Sequence, residues 1–306
     1  MSRRPVMALL VTAVLALAGC TSASVPATGS PSASLTASLP PSPTPAPSAA
    51  TATLLLRITS EGGFIAPSAN LAALPNASVY SDGRILTPAP QDAIFPAPLL
   101  PTLNVRNVGP NGIASILDTI RKGGLDKPGG GAGGIPGDTG TTIITVVVDG
   151  QPVTTRFPGL TGGPPGPGGH GTPGASAADD PGRVAARELV SRLDDPTDAW
   201  GGTSSPLSLY KPSGFRLYVA PGGPPPDASA SQAPVTWPLA APLAAFGTPA
   251  VPDRGIAGLR QGVVLGSDAA ALAPVLASAT AITPFVSGGT SYTLYARPLL
   301  PDEVPA

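Results

Sequence analysis

Cys20 is the only thiol in the 306-residue chain, and it closes the run Leu17-Ala18-Gly19-Cys20. A thiol serves as a nucleophile in acyl transfer, and the small Ala18 and Gly19 leave the adjoining backbone open to a peptidase. Upstream, Arg3 and Arg4 give a positive start, and Val6 to Leu17 form an apolar run too short to span a bilayer as a stable helix. Together these are the parts of a lipobox. Residues 1–19 are expected to be removed as a lipoprotein signal peptide, and Cys20 to carry a diacylglycerol, with or without an added N-linked palmitate. Each buried methylene contributes about 0.8 kcal/mol, so one chain binds reversibly while two or three hold firmly. No thiol then remains for a disulfide, a metal site or a cysteine nucleophile.

Other residues carry the right chemistry in the wrong setting. Ser208-Leu209-Tyr210-Lys211 matches S-x-x-K, in which a helix aims the lysine back at a serine nucleophile. Pro212 and Gly214 follow at once and deny it that helix. The single histidine, His170, lies in a Gly/Pro loop with no neighbouring acid to orient it. Asp82 precedes a glycine, where turn formation accounts for it. Asp194-Asp195 stands at a helix end before Pro196, which reads as an exposed terminus rather than an acid pair. The chain holds no G-x-S-x-G, H-E-x-x-H, EF-hand or phosphate loop. No residue is therefore assigned a catalytic, cofactor or metal role, and lipidation of Cys20 is the one site expected.

Without residues 1–19, which hold two arginines, 15 basic side chains face 18 acidic ones. Charged residues make up only 11% of the chain, too few for a basic face, which argues against nucleic acid as a partner. The membrane, reached through the lipid on Cys20, and an envelope ligand or protein of undefined identity are the partners expected.

The elements that would present such a domain follow from composition and period. Residues 20–53 are almost wholly Ser, Thr, Pro and Ala, with no charge and no aromatic. They are expected to form a disordered tether, since they bury too little to offset ordering entropy. Its reach lies between about 30 Å as a coil and about 100 Å extended. Residues 54–306 then form the extracytoplasmic domain, as one unit or as two lobes with a boundary near 161–180.

Leu54 to Thr59 reads as a strand, and Phe64 as a return to the core. Ala77 to Leu86 reads as a hairpin whose Asp82-Gly83 suits a type I′ turn, and Ile143 to Phe157 as a second one around Asp149-Gly150. Pro110, the isoleucines at 113, 116 and 120, and Gly123-Gly124 mark a helix within Asn104 to Leu125. A second helix runs from Pro181 to Asp194, capped by Asp180. Val184, Leu189, Val190 and Leu193 are its inward stripe, with Arg183, Arg187, Glu188 and Arg192 outward. Strands are expected over Phe215 to Val219, Gly262 to Leu265 and Ser291 to Arg297. Ser267 caps a third helix, which Pro274 is expected to kink or delay. The order gives an α+β class, mostly antiparallel hairpins with about three helices.

Gly62-Gly63-Phe64, Val79 to Arg84 (VYSDGR), Trp237-Pro238-Leu239 and Arg297 to Glu303 (RPLLPDE) resemble a set of tethered lipoproteins of high-GC bacteria without assigned activity. The similarity runs over most of residues 54–303. The resemblance implies a cysteine pair in relatives, bracketing the last helix and strand. This chain has none there, which leaves its last segment to be held by packing alone. The resulting expectation is a membrane-anchored lipoprotein facing the extracytoplasmic side, binding or structural rather than catalytic. The alternative is an extracellular hydrolase built on two carboxylates that only the fold brings together.

Overall fold

A computed structural model describes residues 52–62, 67–91, 93–128, 140–160, 180–224, 232–251 and 255–304. The signal, Cys20, nearly all of the tether, Phe64 and His170 lie outside the described residues. Residues Ala49–Ala306 cluster as one compact unit. The class is α+β: among the described residues, three helices accompany 13 strands in two sheets.

The first sheet comprises β1 (Leu54–Glu61), β2 (Ala77–Tyr80), β3 (Arg84–Pro88), β4 (Leu103–Asn107), β5 (Thr141–Val148), β6 (Gln151–Pro158) and the short β7 (Ser208–Leu209). They lie in the order β6-β5-β1-β2-β3-β4-β7, with every pairing antiparallel. Side chains alternate across a strand, so Leu56 and Ile58 face one side with their partners Val146 and Ile144. Helices α1 (Pro110–Lys122) and α2 (Pro181–Asp194) cover that side, placing Ile116, Ile120, Leu189 and Leu193 in the same core. A Cβ on Gly123 would collide with that of Ala185, so small residues set the approach of the two helices.

The bounds and cap of α2 follow the sequence reading, with Asp180 accepting from Gly182 N at 3.4 Å. Its facing does so in part: Leu189, Leu193 and the partly buried Val190 turn inward as expected. Val184 is 51% exposed, whereas Gly182, Arg183, Ala185 and Ala186 turn inward with Leu189 and Leu193. The close crossing admits alanines where Val184 would be too wide. The Arg183 stem spans the gap, and its NH2 group donates to Pro158 O.

The second sheet comprises β8 (Gly214–Pro221), β9 (Val235–Thr236), β10 (Thr248–Pro249), β11 (Arg260–Leu265), β12 (Phe285–Ser287) and β13 (Thr290–Pro298). Its order is β10-β11-β8-β13-β12-β9, antiparallel except for the β12–β9 pair. Helix α3 (Gly266–Ser278) buries Leu272 and Leu276 against Leu217, Val219, Leu294 and Ala296. It starts at Gly266 and runs through the exposed Pro274, neither late nor interrupted. The excursion between β3 and β4 sends Leu99 into this second core, where its N–H donates to Ala279 O at 3.0 Å.

The two Asp-Gly turns differ. Asp149 and Gly150 have φ 50° and 77°, the type I′ pattern that a two-residue loop between Val148 and Gln151 requires. At the first hairpin only Gly83 has positive φ (89°), and Gly83 N donates to Tyr80 O at 3.0 Å. That is a three-residue loop ending on a left-handed glycine, so Asp82 never needs the strained region. Its carboxylate instead accepts from Arg84 N at 3.2 Å and Arg84 Nε at 2.6 Å.

Candidate functional site

Outside the two helix-covered faces, the sheets present polar rows. On β1 and β2 the residues alternating with Leu56, Ile58 and Val79 are Arg57, Ser78 and Tyr80. On β8 and β13 the residues alternating with Leu217, Val219, Leu294 and Ala296 are Arg216, Tyr218, Tyr295 and Arg297. Register sets Arg216 directly opposite Arg297, and Tyr218 opposite Tyr295.

The segment after β13 joins these rows. Leu299 and Leu300 are buried, Leu300 beside Tyr80, Leu86 and Leu103 of the first sheet. A 3₁₀ turn, Pro301–Glu303, then aims two adjacent acids at different sheets. Asp302 accepts from Arg57 NH2 at 2.8 and 3.0 Å and from the Tyr80 hydroxyl at 2.8 Å. Glu303 takes a two-pronged contact from Arg297, NH1 to Oε2 and NH2 to Oε1, both at 2.7 Å. Leu300 N donates to the same Oε2 at 3.1 Å, and the Tyr210 hydroxyl donates to Leu299 O at 3.0 Å. The last segment is thus held by ion pairs as well as by apolar contact, which corrects the expectation of packing alone.

Electrostatics favours the charged acid. Burial pushes Glu303 up, but the Arg297 hydrogen bonds and charge outweigh it and hold the carboxyl below its ordinary range. Burial and then the Asp302 carboxylate drive the Tyr80 phenol far above its usual value, so it stays a donor. Both acids are consumed as acceptors, and Glu303, held charged, is not placed to deliver a proton near neutrality. One cation of this junction is left over. Arg216 belongs to none of the ion pairs among the described residues, and its Nε is buried without a partner.

A second cluster closes the end of α2. Arg106, 2% exposed, extends from β4 and donates to Arg192 O at 3.3 Å, Leu193 O at 3.4 Å, Pro196 O at 3.4 Å and Asp198 O. A cation here satisfies the open carbonyls and opposes the negative end of the helix dipole. Arg192 pairs with Asp198 at 2.6 Å and lies over the Trp200 ring, 3.8 Å from its centre. Replacing Arg106 by methionine keeps most of the volume but strands four carbonyls. We expect a loss of about 2–3 kcal/mol in urea unfolding, and an unchanged midpoint would refute this role for Arg106.

The residues singled out earlier fall elsewhere. Ser208 and Leu209 form β7 against β4, so S-x-x-K opens in a strand and not on a helix. Asp194 is exposed, while Asp195 accepts from Thr197 Oγ1 at 2.7 Å and N at 2.8 Å, which lowers its pKa and makes it a turn former. A cleft of about 360 Å³ is lined by Ala72, Leu74, Pro88, Gln91, Pro101 and their neighbours, none of them ionisable. Among the described residues no group of three or more His, Cys, Asp or Glu is arranged for a metal ion. No helix among them is long and apolar enough to cross a membrane.

No family model, curated protein or solved structure matches the chain. Sequence reasoning passed over Arg216 and Tyr218, although a signal was present. Arg-x-Tyr at 216–218 mirrors Tyr-x-Arg at 295–297, and antiparallel pairing of two such strands sets like against like.

Proposed function

We propose that this protein is a membrane-anchored lipoprotein, held by the lipid on Cys20 and presenting residues 54–306 on the extracytoplasmic side as a non-catalytic binding or structural domain. Kinship with the tethered lipoproteins of high-GC bacteria belongs to the same proposal. The observation that carries it is the placement of the chain's single cysteine at Leu17-Ala18-Gly19-Cys20, ahead of a charge-free Ser/Thr/Pro/Ala run and a compact domain. Binding is favoured over carboxylate hydrolysis because Asp302 and Glu303, the acids gathered at the junction of the sheets, are committed to arginines.

Native mass spectrometry tests the binding half. The protein would be purified both from its own envelope and from a neutral host, then compared intact. A reproducible added mass on the envelope sample alone, beyond the lipid, is the result expected. Identical masses in both would remove tight binding as the explanation and leave a structural role.

A further inference from the structure

We infer that the Arg216/Arg297 and Tyr218/Tyr295 rows of β8 and β13 form a recognition site for one oxyanion group, a carboxylate or a phosphate, carried by a ligand. This deepens the binding reading above and rests on it for its biological meaning.

The charge arrangement carries the inference. Two guanidinium groups leave directly opposed positions on one face of adjacent strands, where like charges repel. Glu303 hydrogen-bonds only one of them, since both its oxygens are taken by Arg297 and one also by Leu300 N, and it reaches Arg216 through charge alone. Asp302 is likewise occupied, by Arg57 and Tyr80. Arg216 therefore faces the junction with a buried, unpartnered Nε. A buried donor without an acceptor is costly, and the fork of an arginine matches an oxyanion with two parallel hydrogen bonds.

The surroundings fit such a group. Tyr218 and Tyr295 place two phenols one row along the same face, packed against the cluster that holds Leu71 and Leu259. Gln261, opposite Tyr218 on β11, adds an amide on that face. All five side chains are part-buried, neither sealed from solvent nor fully exposed. An anion seated here would neutralise Arg216, and each phenol offers it a further donor.

The test is thermal unfolding of the full-length protein in detergent, titrated with inorganic phosphate, with acetate, and with chloride at matched ionic strength. Phosphate or acetate should raise the Tm by about 3 °C, chloride should not, and Arg216→Gln should abolish the rise. Should R216Q fail to fold, Tyr218→Phe is the second variant, expected to shift the titration midpoint several-fold to higher anion concentration. A larger rise with phosphate identifies a phosphate-bearing ligand, and a larger rise with acetate a carboxylate-bearing one; either supports the site. No rise, an equal rise with chloride, a rise that survives in R216Q, or, where Y218F replaces it, a titration midpoint that does not move would overturn the site. The comparison of intact masses reports separately on the broader binding reading, because it needs no assumption about which face is used.

Discussion

Glu303→Gln is expected to cost the folded domain about 3–5 kcal/mol. The pair it breaks is largely withdrawn from water, with the Arg297 and Glu303 side chains 13% and 15% exposed. Removing one partner of such a pair leaves the other charge desolvated and alone, which is worse than losing both. Here the penalty is compounded, because Arg216 stands across the strand from Arg297 and also depends on the Glu303 charge. Urea unfolding of the variant measures the loss. A cost under about 1 kcal/mol, the range of an exposed pair, would show that the contact is ornamental. Arg297→Met together with Glu303→Gln should be less harmful than the two separate losses combined, since the double variant leaves neither member of that pair stranded.

The same pair predicts an acid limit. The Glu303 carboxyl titrates lower in the folded chain than in the unfolded one, where a glutamate has a pKa of about 4.3. The unfolded state therefore takes up its proton first as pH falls. The stabilisation is complete above the unfolded value and is lost as pH falls through the folded one. The parent protein should lose stability on acidification below about pH 4, and E303Q should lack that component of the slope. Parallel slopes for the two proteins would refute the assignment.

Under the proposed lipid anchor, Cys20→Ser is expected to abolish membrane attachment altogether. Acyl transfer needs the thiol, the chain has one, and a hydroxyl in its place leaves the lipobox unmodified. The gain from two or three acyl chains is large against thermal energy, so the expected result is a switch in fractionation, with no intermediate state. Metabolic labelling with an alkyne fatty acid and fractionation of the envelope would follow it. A serine variant that still takes up label, or a parent chain that takes up none, would dismiss the anchor.

What could be read in the sequence was local. Asp149-Gly150 between two runs of β-branched residues fixes its hairpin outright, and Asp180-Pro181 with Gly123-Gly124 places helix boundaries to the residue or nearly so. Facing was less legible. The periodicity of α2 permits either Val184 or Ala185 and Ala186 to turn inward, and the choice falls to the narrow gap beside Gly123, a feature of the partner helix. Strands of two or three residues, such as β7, β9, β10 and β12, are too short to show a period. β4 hid because Arg106 occupies a core position that a hydrophobic pattern would fill with an aliphatic residue. The polar junction is the extreme case: Arg57 and Asp302 are separated by 245 positions, and no local rule pairs them. The mirrored Arg-x-Tyr and Tyr-x-Arg were visible, but only pairing of β8 with β13 turns them into one surface.

The closing turn at Asp302 and Glu303 also sets a timetable. A polypeptide emerges from its amino end, so Arg57 and Tyr80 are made 245 and 222 positions ahead of Asp302, their acceptor. Until then the two sheets lack the bonds that Asp302 and Glu303 supply to each, and the arginines of the junction remain hydrated. Contacts between such distant positions form late because closing the intervening loop is entropically expensive. A product ending before position 302 would hold its hairpins and helices yet miss both acids, and quality-control proteases would meet it as an unlatched substrate. Consolidation is thereby deferred until both acids have been made.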